Sequence, residues 1–350
     1  MMKLMRNDII FLGDTHFALR NSNVDHHAYM AKFFKDFFAF IDKHKIKAVV
    51  QTGDLFDVRK NINVWAINQF RTMFLDEVTK RGIQLYVLVG NHDIYYRESV
   101  KINSIREILT DYQLLNPDIL TIIDEPVELD ILGEKFFICP WVCKENEKQI
   151  SDMIQKTDAK YCVGHFEFNG FEMQKGQSIK TRYDHTEYAK FDLVISGHYH
   201  HKSRKDNVLY VGTPYQITWM DYNDDKGFWV FVKGKVVFIK NEHTIYNKIV
   251  YNGVVPDRSE VEGKYLHIIM KEREEKKKFN SYLDSIQLMN PLDVKIKESF
   301  DEELSEHTII HDIKNTEIVL KEYIANSSID LDKNILTDIM TELYREAIKN

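Results

Sequence analysis

Five short stretches of this 350-residue chain place a carboxylate, an amide or an imidazole just after an apolar run and a glycine. They are Gly13-Asp14-Thr15-His16, Gly53-Asp54, Gly90-Asn91-His92-Asp93, Gly164-His165 and Gly197-His198-Tyr199-His200. Singly, each has an ordinary reading: Asn91-His92-Asp93 suits a turn with a solvated histidine, and Asp14 suits an Asx-type turn capping the next helix. Five strand-end motifs that all supply Asp, Asn or His are hard to dismiss that way. In an extended backbone residues two apart share a side, so Asp14 and His16 can share an ion, and His198 and His200 can serve one ion or two neighbours. The donor set is then Asp14, His16, Asp54, Asn91, His165, His198 and His200. Carboxylate, amide and imidazole without thiolate favour Mn²⁺, Fe²⁺ or Zn²⁺ over an all-oxygen Ca²⁺ or Mg²⁺ cage. Two such ions about 3.5–4 Å apart, joined by one carboxylate, lower the pKa of a bridging water and clamp an in-line phosphoryl displacement. His92 is left outside the ligand set.

The elements that must position these residues read as alternating strands and helices. Asp8 to Leu12, Lys47 to Gln51 and Ile83 to Val89 are apolar strands, each running into one of the polar motifs. Between them, Asp25 to Lys45 carries Tyr29, Phe33, Phe37, Phe40 and Ile41 at helical spacing, and Asn63 to Lys80 reads as a second amphipathic helix. Glu98 to Leu109 is expected to be helical, Ile119 to Cys139 to form short strands, and Lys144 to Lys156 another helix. Ala159 to Val163 and Phe191 to Ser196 are strands that close on His165 and His198. Ligands gather at the carboxyl ends of strands in such an α/β arrangement. Gly227 to Val232, Lys235 to Lys240 and Tyr246 to Val250 are expected to finish a two-sheet sandwich.

Composition narrows the class. The chain is 44% hydrophobic, enough for a large core plus a smaller unit. No apolar run reaches the roughly 20 residues of a membrane span, and Met1 to Asp8 lacks the apolar core of a signal peptide, so the expected location is cytoplasmic. Cys139, Cys143 and Cys162 are too few and wrongly spaced for a zinc knuckle or a disulfide framework and read as buried thiols. A formal charge of −7 gives no global attraction to nucleic acid, so any DNA binding must be local, metal-assisted or shared with a partner.

Together, the five motifs resemble the calcineurin-like metallophosphoesterase signature. Within that superfamily the chain is similar to the SbcD-type double-strand-break repair nucleases, and more closely to the recombination nuclease subunits of T4-like bacteriophages. Gly53-Asp54-Leu55-Phe56-Asp57-Val58-Arg59, Pro140-Trp141, Gly164-His165-Phe166-Glu167-Phe168-Asn169-Gly170 and Gly212-Thr213-Pro214 carry the narrower likeness, which spans essentially the whole chain. The resemblance implies an α/β (α+β) fold, a four-layer sandwich of two mixed β-sheets flanked by helices, with a small β-α-β capping domain and a C-terminal helical segment. It implies that Asp14, His16 and His200 hold one metal, that Asn91, His165 and His198 hold the other, and that Asp54 bridges them. His92 would be the general acid or charge stabiliser near the scissile phosphate, with Asp93 orienting its imidazole. The implied cofactor is a pair of divalent ions, manganese by family habit. The implied activity is 3′-to-5′ exonuclease on duplex DNA and endonuclease on single strands or hairpins. A homodimer through the helix from Asn63 or from Glu98 is a family expectation.

The expected division is 1–255 nuclease domain, 256–298 DNA-facing capping domain, 299–315 linker and 316–350 helical segment. Pro256-Asp257-Arg258-Ser259 marks the first boundary, followed by a strand from Lys264 to Met270, a helix from Glu274 to Gln287 and a strand from Asp293 to Glu298. The run Lys271 to Lys278 is mixed in sign and suits a solvated helix face at least as well as a phosphate contact. Asp301, Glu302, Glu303 and Glu306 make the linker acidic. Beyond it, Ile318, Leu320, Tyr323 and Ile324, then Ile335, Ile339, Leu343, Tyr344 and Ala347, suggest two short amphipathic helices. Such a hairpin could dock on its own core; by the resemblance, it docks on an SbcC-like coiled-coil ATPase. Two rival functions use the same residues: a dinuclear-metal phosphatase or phosphodiesterase on a non-DNA substrate, and a non-catalytic partner-binding scaffold. The complete donor set and intact His92 count against the scaffold.

Overall fold

The computed structural model describes residues 8–178, 181, 183–271, 276–298, 336, 337 and 340. In chain order, the strands that build the two large sheets are β1 (Ile9–Leu12), β2 (Ala48–Gln51), β3 (Gln84–Leu88), β4 (Leu120–Ile123), β5 (Val127–Ile131), β6 (Glu134–Ile138), β7 (Tyr161–Gly164), β8 (Leu193–Ser196), β9 (Ser203–Lys205), β10 (Val208–Tyr210), β11 (Gly227–Val232) and β12 (Lys235–Lys240). The first sheet has the order β12-β11-β1-β2-β3-β4 and the second β9-β10-β8-β7-β6-β5. Both are mixed: β1 to β4 pair in parallel, whereas β11 runs antiparallel to β1 and β5 antiparallel to β6. Every residue of β1, β2, β7 and β8 is buried, as continuous apolar strands covered on both faces should be.

The alternation of side chains along these strands separates three cores. Phe11, Val50 and Leu88 of the first sheet meet Phe136, Val163 and Ile195 of the second. Ile10, Leu12, Val49 and Val87 point the other way, onto Phe33, Phe34 and Phe37 of α1 (Val24–His44). Phe137, Cys162 and Val194 of the second sheet pack on Ile150 and Ile154, on the helix Glu147–Lys156. The result is helix, sheet, sheet, helix: the four-layer sandwich. Phe11 sits fully buried between the sheets, with Phe136 and Phe231 ring centroids at 5.9 and 6.2 Å. Phe11→Ala is expected to cost about 3–5 kcal/mol, read as a lower urea midpoint with an unchanged slope.

α1 begins at Asn23, whose side chain accepts from the His26 amide, and ends at Lys45 with φ 57°. α2 runs from Val64 through a π-helical turn at Arg71–Leu75 to Arg81 and stops at Gly82. Two elements differ from the sequence-based expectation. Residues 98–103 are not helical: Ile94–Tyr96 and Ser99–Asn103 form a hairpin, and α3 (Ser104–Leu115) starts only where the Asn103 side chain accepts from the Arg106 amide. Second, Tyr246–Val250 does not finish the sandwich. It is β13, the first strand of a separate parallel sheet with β14 (Tyr265–Met270) and β15 (Asp293–Glu298). Ile249 packs there with Leu266, Ile268, Phe279 and Ile286, under the helix Lys276–Gln287. The first strand of the small sheet thus precedes Pro256.

The compact unit holding the site spans Met1–Phe300. The segments 299–315 and 316–350 lie outside the described residues, apart from 336, 337 and 340. So do residues 272–275 of the mixed-charge run, whose Lys271, Lys277 and Lys278 are exposed. All three cysteines are free and buried. Among the described residues no helix is long and apolar enough to cross a membrane.

Candidate metal centre

The carboxyl ends of β1, β2, β3, β7 and β8 bring all seven expected donors to one rim. Two glycines permit the crowding: a Cβ at Gly53 would run into the His165 imidazole, and one at Gly90 into the Asp54 carboxylate. Three donors lie in the left-handed backbone region, His16 at φ 45°, Asp54 at 53° and His198 at 82°. Such conformations cost on the order of 1–3 kcal/mol each and persist where surrounding structure imposes them, typically at functional sites.

The donors fall into two sets. Asp14, His16 and His200 present ligand atoms within 4.8 Å of one another, and so do Asp54, His165 and His198. In the first, the Nε2 atoms of His16 and His200 face each other at 3.2 Å, and the Asp14 carboxylate accepts from the His198 amide at 3.0 Å. In the second, His165 Nε2 lies 2.9 Å from Asn91 Oδ1 and 3.4 Å from Asp54 Oδ2, while His198 Nδ1 lies 2.8 Å from Asn91 Oδ1. The Thr52 carbonyl takes His165 Nδ1–H at 2.8 Å, so Nε2 is the ring atom turned toward these oxygens.

Electron-rich atoms packed this closely need a positive charge, and the titration behaviour shows where protons would go without a cation. Burial, reinforced by Asp54, raises Asp14 to about 7 against the pull of His165. Burial lowers the basicity of His16 and His165, but carboxylates win: Asp57, Asp54 and Asp14 lift His16 to about 9, and Asp54 and Asp14 lift His165 to about 9. Asp54 is itself buried, yet His165, His92 and His16 hold it well below the ordinary carboxylate range. Burial keeps His200 well below the ordinary imidazole range, with His16 and Lys226 adding to it. Mixed oxygen and nitrogen donors around buried negative charge fit divalent transition-metal ions.

His92 stands beside the donors, partly exposed, its ring 5.1 Å from that of His16. Its amide donates to Asp54 Oδ1 at 2.7 Å. The expected support from Asp93 is not what the structure contains. The Asp93 carboxylate is fully buried and accepts from the amides of Gly90, Leu55 and Phe56 at 2.9, 3.4 and 3.3 Å. It braces two loops, and consecutive side chains in the turn do not face each other. The imidazole is instead held by Asp57, whose main-chain carbonyl lies 2.6 Å from His92 Nδ1. The Asp57 carboxylate is 3.2 Å from His16 Nδ1, so this residue touches both histidines. In sequence it stands three residues after Asp54, within the Gly53 to Arg59 stretch that carries the narrower likeness, with nothing to mark its role. The Trp141 ring lies 5.0 Å from that of His198 and 5.8 Å from that of His165, so it walls the donor rim on that side. Glu167 Oε1 lies 3.7 Å from His198 Nε2.

Residues 8–202 match the calcineurin-like phosphoesterase family. The chain is 30% identical over 347 residues to exonuclease subunit 1 of Enterobacteria phage T4, covering 97% of this chain and 99% of that protein. It is 23% identical over 265 residues to the DNA double-strand break repair protein Mre11 of Nanoarchaeum equitans, covering 67% and 68% of the two chains. Among solved structures, a dimetal phosphatase from Danio rerio aligns at 11% identity and TM-score 0.42, over 65% of this chain and 92% of that one. A family match over more than half of the chain, on the residues that form the donor rim, settles its class: the chain belongs to the calcineurin-like phosphoesterase family, whose fold implies divalent metals, and is a hydrolase acting on phosphodiester bonds.

Proposed function

We propose that this enzyme is a Mn²⁺-dependent DNA nuclease, a 3′-to-5′ exonuclease on duplex DNA and an endonuclease on single strands and hairpins. In this reading it acts with an SbcC-like coiled-coil ATPase in DNA end processing, recombination and double-strand-break repair, in the cytoplasm of a phage host. The observation that carries the reading is the end-to-end likeness to a phage exonuclease subunit, which extends well beyond the phosphoesterase core. A phosphatase of small molecules would have no need of the residues after Pro256.

Asp14, His16 and His200 would hold one ion, Asn91, His165 and His198 the other, with Asp54 between them. The bound pair would supply positive charge to the phosphate and make water a better nucleophile at neutral pH. The chain's own residues do the rest. Asp54 takes the His92 amide and so fixes that histidine at the edge of the donor rim. With Nδ1–H given to the Asp57 carbonyl, His92 Nε2 is free to hand a proton to the departing oxygen or to hydrogen-bond a phosphate oxygen. Asp93 keeps the Gly90 turn closed behind it. A homodimer is part of the proposal: Val64 on α2 and Leu114 and Leu115 on α3 are 80%, 74% and 81% exposed, apolar side chains such an interface would cover.

The test is digestion of end-labelled duplex DNA with Mn²⁺, with and without the ATPase subunit. Release of labelled nucleotides from 3′ ends is expected, stimulated by the partner. Hydrolysis of a model phosphodiester with duplex DNA untouched would favour a non-DNA substrate. Deleting 316–350 should leave basal hydrolysis intact and abolish ATPase stimulation, and unchanged co-purification with the ATPase would refute docking through that segment.

A further inference from the structure

Behind the donor rim lies a buried ammonium that the hydrolytic reading leaves without a role. Lys226, the residue before β11, has a side chain 3% exposed. Its Nζ donates to the His200 main-chain oxygen at 2.8 Å and lies 2.7 Å from Asp221 Oδ1 and 2.8 Å from Asp224 Oδ2. Those carboxylates are 3% and 4% exposed. An ammonium has three N–H donors, and here all three have acceptors. A buried charge is tolerated when paired and hydrogen-bonded in this way, and removing one partner strands the others.

Each member is anchored further. Asp221 Oδ2 accepts the amides of Ile217 and Thr218 at 2.9 and 2.8 Å, and Asp224 Oδ1 pairs with His201 Nδ1 at 2.9 Å. Gln216 Nε2 donates to the Asp221 main-chain oxygen at 2.9 Å, while its Oε1 accepts the amides of Ile245 and Tyr246, where β13 begins. A buried polar chain therefore runs from His200 to the first strand of the three-stranded sheet. Residues 197–202 form neither helix nor strand, so no ladder fixes the His200 main chain. Its amide donates to Met173 at 3.0 Å, and its carbonyl takes Lys226 and the Thr213 amide.

We infer that Lys226 is a positioning residue: its ammonium, clamped by Asp221 and Asp224, fixes the main chain that carries the His200 imidazole opposite His16. The inference rests on the reading above, in which Asp14, His16 and His200 serve one ion. It gives the loop of residues 213–226 a purpose, since holding an imidazole in register is what a supporting shell does for a metal site.

The experiment uses the full chain and Lys226→Met, with Mn²⁺ binding followed by calorimetry and ¹⁵N-histidine side-chain resonances followed in chelator. One of the two ions is expected to bind about 10–100-fold more weakly, the other unchanged, with hydrolysis restored by excess Mn²⁺ and KM for DNA unaltered. In chelator the His200 ring resonances should shift while those of His165 stay, a readout that needs no metal. A purely structural lysine would lower the melting temperature yet leave both affinities and the His200 resonances at wild-type values, which overturns the inference. If Lys226→Met does not fold, Asp224→Asn keeps the shape and the Lys226–Asp221 pair, and should weaken the same ion by a smaller factor; wild-type affinities and resonances there also overturn it. A wild-type chain binding fewer than two ions would refute the two-ion reading, and the resonances would still decide the role of Lys226.

Discussion

On the proposed nuclease reading, replacing His92 with asparagine is expected to slow Mn²⁺-dependent DNA hydrolysis by about 10²–10⁴-fold, the range spanned by loss of a positioned proton donor. Metal uptake should not change, because the hydrogen bond from His92 to the donor set comes from its backbone amide, which asparagine retains, while its ring only packs edge-on against His16. An asparagine Nδ2 can also reach for the Asp57 carbonyl that now engages Nδ1. What asparagine lacks is the second ring nitrogen. The side chain is partly exposed, so its removal opens no cavity, and the melting temperature should stay close to wild type. Single-turnover digestion with parallel Mn²⁺ calorimetry separates the outcomes. Full activity would remove His92 from the mechanism, and loss of an ion would move it into the ligand set, a possibility its grouping with His16 and Asp57 makes concrete. A phosphodiester with a good leaving group distinguishes proton donation from charge stabilisation: the defect should nearly vanish on it if His92 protonates the leaving oxygen.

The contrast between His92 and its neighbours marks where sequence reasoning reaches its range. β1, β2, β7 and β8 are legible because strands buried on both faces are apolar throughout, and the donors stand out because each follows such a run. The support around the donors is different in kind. Asp93 adjoins His92 in sequence but faces backbone amides, while Asp57 reaches the imidazole from 35 residues away. Lys226 meets His200 across 26 residues, and nothing in Asp224-Asp225-Lys226 distinguishes it from a surface charge run. Local pattern also fails where two periods compete: Ser99 to Asn103 forms a hairpin strand, and Asn103 caps a helix that starts at Ser104, six residues later than apolar spacing suggests. Tyr246 to Val250 has strand character, but choosing between two sheets depends on the distant strand Tyr265–Met270.

Chelation is expected to abolish hydrolysis and to lower the melting temperature by an amount that grows with pH. The sign follows from four buried groups. Burial and Asp54 raise Asp14 and Asp93 to about 7, while carboxylates lift His16 and His165 to about 9 in spite of burial. All four are raised above their unfolded values, so each contributes stability that is complete below its unfolded pKa, about 4 for the carboxyls and 6.5 for the imidazoles. For Asp14 and Asp93 that contribution is lost as pH rises toward and through 7, and for His16 and His165 through 9. Asp54, held low, acts oppositely only where pH falls below its unfolded value near 4, and His198 and His200, held low by burial, offset part of the loss as pH rises through 6.5. Between pH 6 and 8.5 the chelated protein therefore loses stability, on the order of a few kcal/mol at about 1.4 kcal/mol per pKa unit. A divalent ion held by the donor set would take the place of the protons on Asp14, His16 and His165, so binding would release them and tighten as pH rises. Its contribution, RT ln(1 + [Mn²⁺]/Kd), grows in step. Scanning calorimetry at pH 6 and 8.5, with Mn²⁺ or chelator, should show a gap several degrees wider at the higher pH. An equal gap at both would mean that the cation does not displace these protons, and that the buried charge of Asp14, Asp54 and Asp93 is balanced by something other than metal.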